Sequence, residues 1–148
     1  MILPEILLAF NLCLSRCKEI SPPKYSYDAV RKLKLIGRDI DKSNNQINIG
    51  CGYDHPFILN KGKIHLEDKI SKRAMDIKTN QECVVVYSMN FTDDLVLYND
   101  KTNQRRFGIC FETQAPPIGQ NMCFLERSIL EKDREYTQIT EYKFYITE

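Results

Sequence analysis

The sequence predicts an all-β protein, an antiparallel sandwich, on three observations: short runs whose apolar and polar side chains alternate with period two, turn residues between those runs, and no competing run of helical period. "KIHLEDKI" places Ile64 and Leu66 on one face and Lys63, His65 and Glu67 on the other, the pattern of a half-buried strand. "RAMDIKT" repeats it through Met75 and Ile77, and "ECVVVYSMN" is a β-branched run suited to burial on both sides. "DLVLYN" sets Leu95 and Leu97 against Val96 and Tyr98. "GICFETQAPP" is a further strand, stopped by its two prolines. "REYTQITEYKFYITE" alternates for more than ten residues, with Tyr136, Gln138, Thr140, Tyr142, Phe144 and Ile146 on one face. Gly62, Asn80, Asn99 and Asp100 fall between runs and read as turn residues. Close strand spacing of this kind points to hairpins and a sandwich, not to strand–helix–strand units.

With 148 residues the chain has the length of one domain. Its 21 basic and 20 acidic side chains nearly cancel, and no segment gathers Lys and Arg as phosphate tracking requires, so no nucleic-acid partner is expected. The six cysteines contain no CxxC pair and only two histidines are present, so no metal site is expected. Cys83 and Cys110 lie in apolar runs and read as small hydrophobes, with reduced thiols expected in place of a disulfide framework.

The opening "MILPEILLAFNLCLSRC" has an apolar centre from Ile6 to Leu14. Glu5, Pro4 and Asn11 fit a secretory signal poorly, and no small-residue cleavage site follows. The centre is also too short to span a membrane, so no membrane partner is expected. Residues 1–23 read as a leader or a stray strand, joined through Pro22 and Pro23 to a compact unit over residues 24–148. A cytoplasmic location is expected, with secretion left open by the signal-like start. Asn90, Phe91 and Thr92 form a glycosylation sequon that matters only in a secreted chain.

Two stretches place polar groups at strand ends. "IGCGYDHPF" combines Gly50 and Gly52, which allow unusual backbone angles or close approach, with Tyr53, Asp54 and His55. In "GICFETQAPPIGQN", Glu112 and Gln114 point to one face while Phe111 and Thr113 point to the other. A carboxylate near Gln, Asp and aromatic side chains is the inventory of a sugar site, since planar acceptors and donors meet ring hydroxyls and a flat ring covers the C–H face. The same residues equally suit a solvated strand end (Glu112), an Asx-turn (Asp54), a turn histidine (His55) and strand packing (Gln114).

"KLIGRDIDKSNNQINIGCGYDHPFILNK", "DIKTNQECVVVYSMNFTDDL", "GICFETQAPPIGQN" and "LEKDREYTQITEYKFY", in that order, resemble the aldose 1-epimerase (galactose mutarotase) family over about residues 32–144. The resemblance implies a galactose mutarotase-like supersandwich, of which this chain corresponds to the C-terminal half. It implies a cofactor-free isomerase acting on a free hexose, galactose or glucose. Glu112 takes the family's general-base position and Asp54 that of an acid bonded to a sugar hydroxyl, with His55 and Gln114 as further substrate-side groups. Ile109 and Phe111 are expected to desolvate Glu112. The family's acid is a histidine in the first half of its domain, which neither His55 nor His65 matches, and Val85 stands where many relatives carry a sugar-binding Gln. Impaired activity is therefore expected, with a non-catalytic carbohydrate-binding module or an inactive remnant as alternatives, and with association through exposed sheet edges.

Overall fold

The computed structural model describes residues 6–12, 34–43, 45–93, 96–118, 122 and 124–148. Pro22, Pro23, Leu95, Cys13, Cys17 and Cys123 lie outside them. Along the chain run β1 (Ile6–Leu12), β2 (Lys34–Leu35), α1 (Asn45–Gly50), β3 (Asp54–Asp68), β4 (Arg73–Thr79), β5 (Cys83–Tyr87), β6 (Val96–Leu97), β7 (Lys101–Thr102), β8 (Cys110–Gln114) and β9 (Thr140–Ile146). Every pairing among them is antiparallel.

The long strand β3 organises the sheet. Its first part, Asp54 to Ile58, pairs with β5, which pairs with β8. Its second part, Lys63 to Asp68, pairs with β4, which pairs with β9. Along its other edge lies β1, with β2 beyond. The greasy opening segment thus supplies a strand over Ile6–Leu12.

Ile36, Ile40, Leu59, Ile64, Ile77, Val84, Val86 and Phe111 form the core, with Tyr53, Phe57, Leu66, Met75 and Ile109 packed against it. Burying side chains of this size stabilises the fold by about 1.5–3 kcal/mol each. Ile64 and Ile77 face each other across β3 and β4, and Val84 and Val86 come from β5, as the alternation requires.

Four expectations change. Gly62 is not a turn residue but lies inside β3 at φ 59°, between the parts that pair with β5 and β4, and a Cβ there would run into the Thr79 carbonyl. A glycine inside a strand marks such a change of pairing. The last strand begins only at Thr140: before it, the main chain of Thr137 and Ile139 bonds Asn80 in place of a ladder, while Tyr136 and Gln138 reach Gln81 and Thr113 with their side chains. "DLVLYN" gives only the two-residue β6, turned through residues 98–100 onto β7, and its Val96, Leu97 and Tyr98 are exposed. Cys110 is exposed beside Glu112, on the side of β8 opposite Phe111, whereas Cys83, on that same sheet face but at its Gln114 end, is fully buried. The thiol of Cys83 is pushed up to about 11 by desolvation.

Candidate active site

Direct partners in an antiparallel pair share a face, so the registers fix what each face of the β3–β5–β8 sheet presents. One face carries three rows: Asp54, Tyr87 and Cys110; Pro56, Val85 and Glu112; Ile58, Cys83 and Gln114. The other carries His55, Val86 and Phe111, then Phe57, Val84 and Thr113, and is the core side. Asp54 and Glu112 are both exposed and Gln114 is half-buried. Asp54 and Glu112 are separated by the width of β5 and one row along the strands, on the order of 12 Å between Cα atoms by standard sheet spacings.

The apolar flank of Glu112 therefore does not enclose it. Phe111 alternates to the core side, and directly across from Glu112 stands Val85, followed by Pro56. The carboxylate stands on an open face beside a small apolar strip.

Asp54 is held by a network in which sequence alone marked only a glycosylation sequon. Asn90, 2% exposed, donates both amide hydrogens, to the carbonyls of Gly50 and Tyr53 at 2.7 Å each, and accepts from Ser88 Oγ at 2.6 Å. Ser88 Oγ in turn accepts the backbone N–H of Tyr53 at 2.9 Å. Gly52 sits at φ 144°, and a Cβ there would strike the Asn90 amide and the Ser88 hydroxyl. The glycines of "GCGY" thus let the turn close onto two buried polar side chains and deliver Asp54 into β3. The sequence signal was present, since Ser and Asn directly after a β-branched run must be paired if they are buried.

His55 faces away from Asp54 and Glu112. Its Nδ1 accepts the backbone N–H of Asp54 at 3.0 Å, which leaves the hydrogen on Nε2 to donate to the Gln46 carbonyl at 3.2 Å. Desolvation, the largest influence, pushes the ring below its usual 6.5, against the opposing effects of the Gln46 carbonyl and the Asp54 charge. A neutral ring linking α1 to the start of β3 is the result. The structure brings Asp54, Glu112 and Gln114 to one face and sets His55 behind it.

The other histidine, His65, lies in the second part of β3, bonded through Nδ1 to Asp76 at 2.6 Å. Arg105 donates to the Cys51 carbonyl at 2.5 Å, and Arg106 forms a two-point contact with Asp41, so the loop before β8 is tied to the segment around α1. A depression of about 230 Å³ beyond the end of β8, bordered by Gln81, Glu82, Ala115, Arg127 and Tyr136, includes neither Asp54 nor Glu112. Among the described residues no three His, Cys, Asp or Glu side chains gather as a metal site would require.

An antiparallel β-sandwich carrying a spaced set of carboxylates and an amide on one open sheet face defines the class of this chain. The aldose 1-epimerase family model matches residues 12–143, and the chain belongs to that family. Its fold is similar to the crystal structure of galactose 1-epimerase from Lactobacillus acidophilus NCFM, with a TM-score of 0.67 and 23% identity over 99% of this chain and 46% of that one. The chain therefore spans less than half the length of that structure. Curated proteins include no significant match.

Proposed function

We propose that the chain provides the base-bearing part of an aldose 1-epimerase site that interconverts the α and β anomers of a free hexose, galactose or glucose. The observation that supports this most is the common face of Asp54, Glu112 and Gln114, set by the registers of β3, β5 and β8. Glu112 removes the proton of the anomeric hydroxyl. The bond from C1 to the ring oxygen then breaks, its electron pair goes to that oxygen, and the oxygen takes up a proton. Rotation about C1–C2 and closure onto the opposite carbonyl face return the other anomer. A positioned base contributes about 10²–10⁴-fold to such a step. Asp54 and Gln114 accept and donate hydrogen bonds to ring hydroxyls, Val85 and Pro56 meet the apolar side of the ring, and His55 supports Asp54 from behind.

A second reading, a carbohydrate-binding module without turnover, is favoured by one observation. His55 lies on the face opposite Glu112, and His65 lies in the part of β3 that pairs with β4, nine positions beyond Pro56 of the Glu112 row, so among the described residues no histidine stands beside Glu112 to protonate the ring oxygen. Polarimetry of freshly dissolved α-galactose and α-glucose, beside calorimetric titration of both sugars, separates the two. Accelerated interconversion that is lost in Glu112→Gln supports the epimerase. Binding at an unchanged solvent rate supports the module, and neither binding nor acceleration rejects both.

A further inference from the structure

We infer that Tyr142 and Gln138, from the C-terminal segment, are positioning residues for Glu112, acting by capping the open edge of β8. Among the described residues β8 has a backbone partner on one side only, β5. A single-sided strand leaves a row of carbonyls without ladder partners. Here the two carbonyls that flank Glu112 are taken by side chains. Phe111 O accepts the Tyr142 hydroxyl at 3.2 Å, and Thr113 O accepts Gln138 Nε2 at 2.8 Å.

The donors are themselves anchored. Tyr142 and Thr140 are placed by the register of β9 on β4, where they stand opposite Ile77 and Thr79. Thr140 Oγ1 lies 2.7 Å from Thr113 Oγ1 and 3.1 Å from Thr79 Oγ1, so a line of hydroxyls joins β4, β9 and β8. Gln138 Nε2 also approaches Thr113 Oγ1 at 3.3 Å. The strand bearing Glu112 is thus tied through β5 to the first part of β3 and through these side chains to the sheet built on its second part. Residues two apart on β9 face the same way, which is why Tyr142 and Thr140 reach β8 together.

This inference rests on the proposed role of Glu112 in the site. A base must lie within hydrogen-bond reach of the proton it removes, and a shift of about 1 Å costs on the order of 10²-fold. Exposed on an edge strand, Glu112 depends on the backbone at Phe111 and Thr113 for its direction. Tyr142→Phe and Gln138→Met remove the two donors while keeping shape.

The test uses the full chain, isotope-labelled, with galactose as the probe. The backbone carbonyl carbons of Phe111 and Thr113 and the carboxyl carbon of Glu112 are followed by NMR in wild type and in the double variant, together with melting temperature and the anomerisation rate. The expected result is displaced Phe111 and Thr113 carbonyl signals, a broadened or doubled Glu112 signal, and about tenfold loss in galactose affinity or rate, at a melting temperature within a few degrees of wild type. An unchanged Glu112 signal with unchanged galactose affinity and rate overturns the inference and leaves the proposed function standing. A wild-type chain that neither binds nor turns over galactose rejects the proposed function instead, and the Glu112 signal alone then decides whether the clamp exists. Should the double variant fail to fold, the two single variants are read by the same signals.

Discussion

The backbone N–H of Asp54 donates to the imidazole of the very next residue, His55, and the far side of that ring holds the Gln46 carbonyl. The ring therefore works as a neutral spacer between α1 and the strand that presents Asp54. Protonation at Nδ1 would turn an acceptor into a donor facing another donor.

The pH dependence follows from the sign of that shift. A ring whose folded value is depressed contributes stability that is fully present above its unfolded value near 6.5 and is lost as pH falls through the lower folded value. Melting temperature measured from pH 8 to pH 5 should fall on the acid side, and His55→Asn should flatten that part of the curve. A ring signal of His55 titrating above 6.5 in the folded chain would contradict this.

Asn90 is the buried support of the same turn. Removing its amide takes a donor from the Gly50 carbonyl and one of several from the Tyr53 carbonyl, takes the Oδ1 acceptor from the Ser88 hydroxyl, and opens a void in the buried turn. Each unsatisfied buried group costs about 1–3 kcal/mol, so Asn90→Ala should lower stability by about 2–4 kcal/mol in urea titration. Both amide hydrogens are engaged and the residue is buried, so folded chain secreted from a glycosylating host should carry no glycan at Asn90 by mass spectrometry.

The three described cysteines should separate by reactivity. Cys83 is fully buried with its thiol pushed up to about 11, whereas Cys51 and Cys110 are exposed. Iodoacetamide at pH 8 should modify Cys51 and Cys110 in the folded chain and reach Cys83 only after denaturation. Because Cys110 shares the face of Glu112 and Asp54, saturating galactose should slow labelling at Cys110 and leave Cys51 unaffected.

Gly62 lets β3 change partners. At φ 59° with the Thr79 carbonyl against it, the site has no room for a side chain. Gly62→Ala should cost more than the ~1 kcal/mol of the backbone conformation alone, because Thr79 must also move. Chemical denaturation of this variant, compared with Gly108→Ala, checks the point. Gly108 has only the Met89 sulfur nearby, at 3.4 Å, so its substitution should be the milder.

Much of the architecture could be read in advance because alternation is a local property. "KIHLEDKI" and "RAMDIKT" pair as β3 and β4 with Ile64 against Ile77, and "CFETQ" carries Glu112 and Gln114 on the side opposite Phe111. What local pattern could not supply was the direction of exposure. A strand shows which residues share a face, but whether that face is covered depends on what packs there, so Cys110, apolar in sequence, stands exposed beside Glu112.

The sequence by itself determined the alternating strands built on "KIHLEDKI", "RAMDIKT", "CVVVY" and "CFETQ", the grouping of Glu112 with Gln114, and the resemblance that the family match bears out. Only the tertiary structure decided that Asp54 joins their face while His55 turns behind it, that Ser88 and Asn90 close the glycine turn, and that Tyr142 and Gln138 cap the edge of β8. The physical reason is range. Period-two alternation is set by neighbouring residues along one strand, whereas these bonds join groups from 25 to 40 positions apart, and only the register of the assembled sheet brings them within reach.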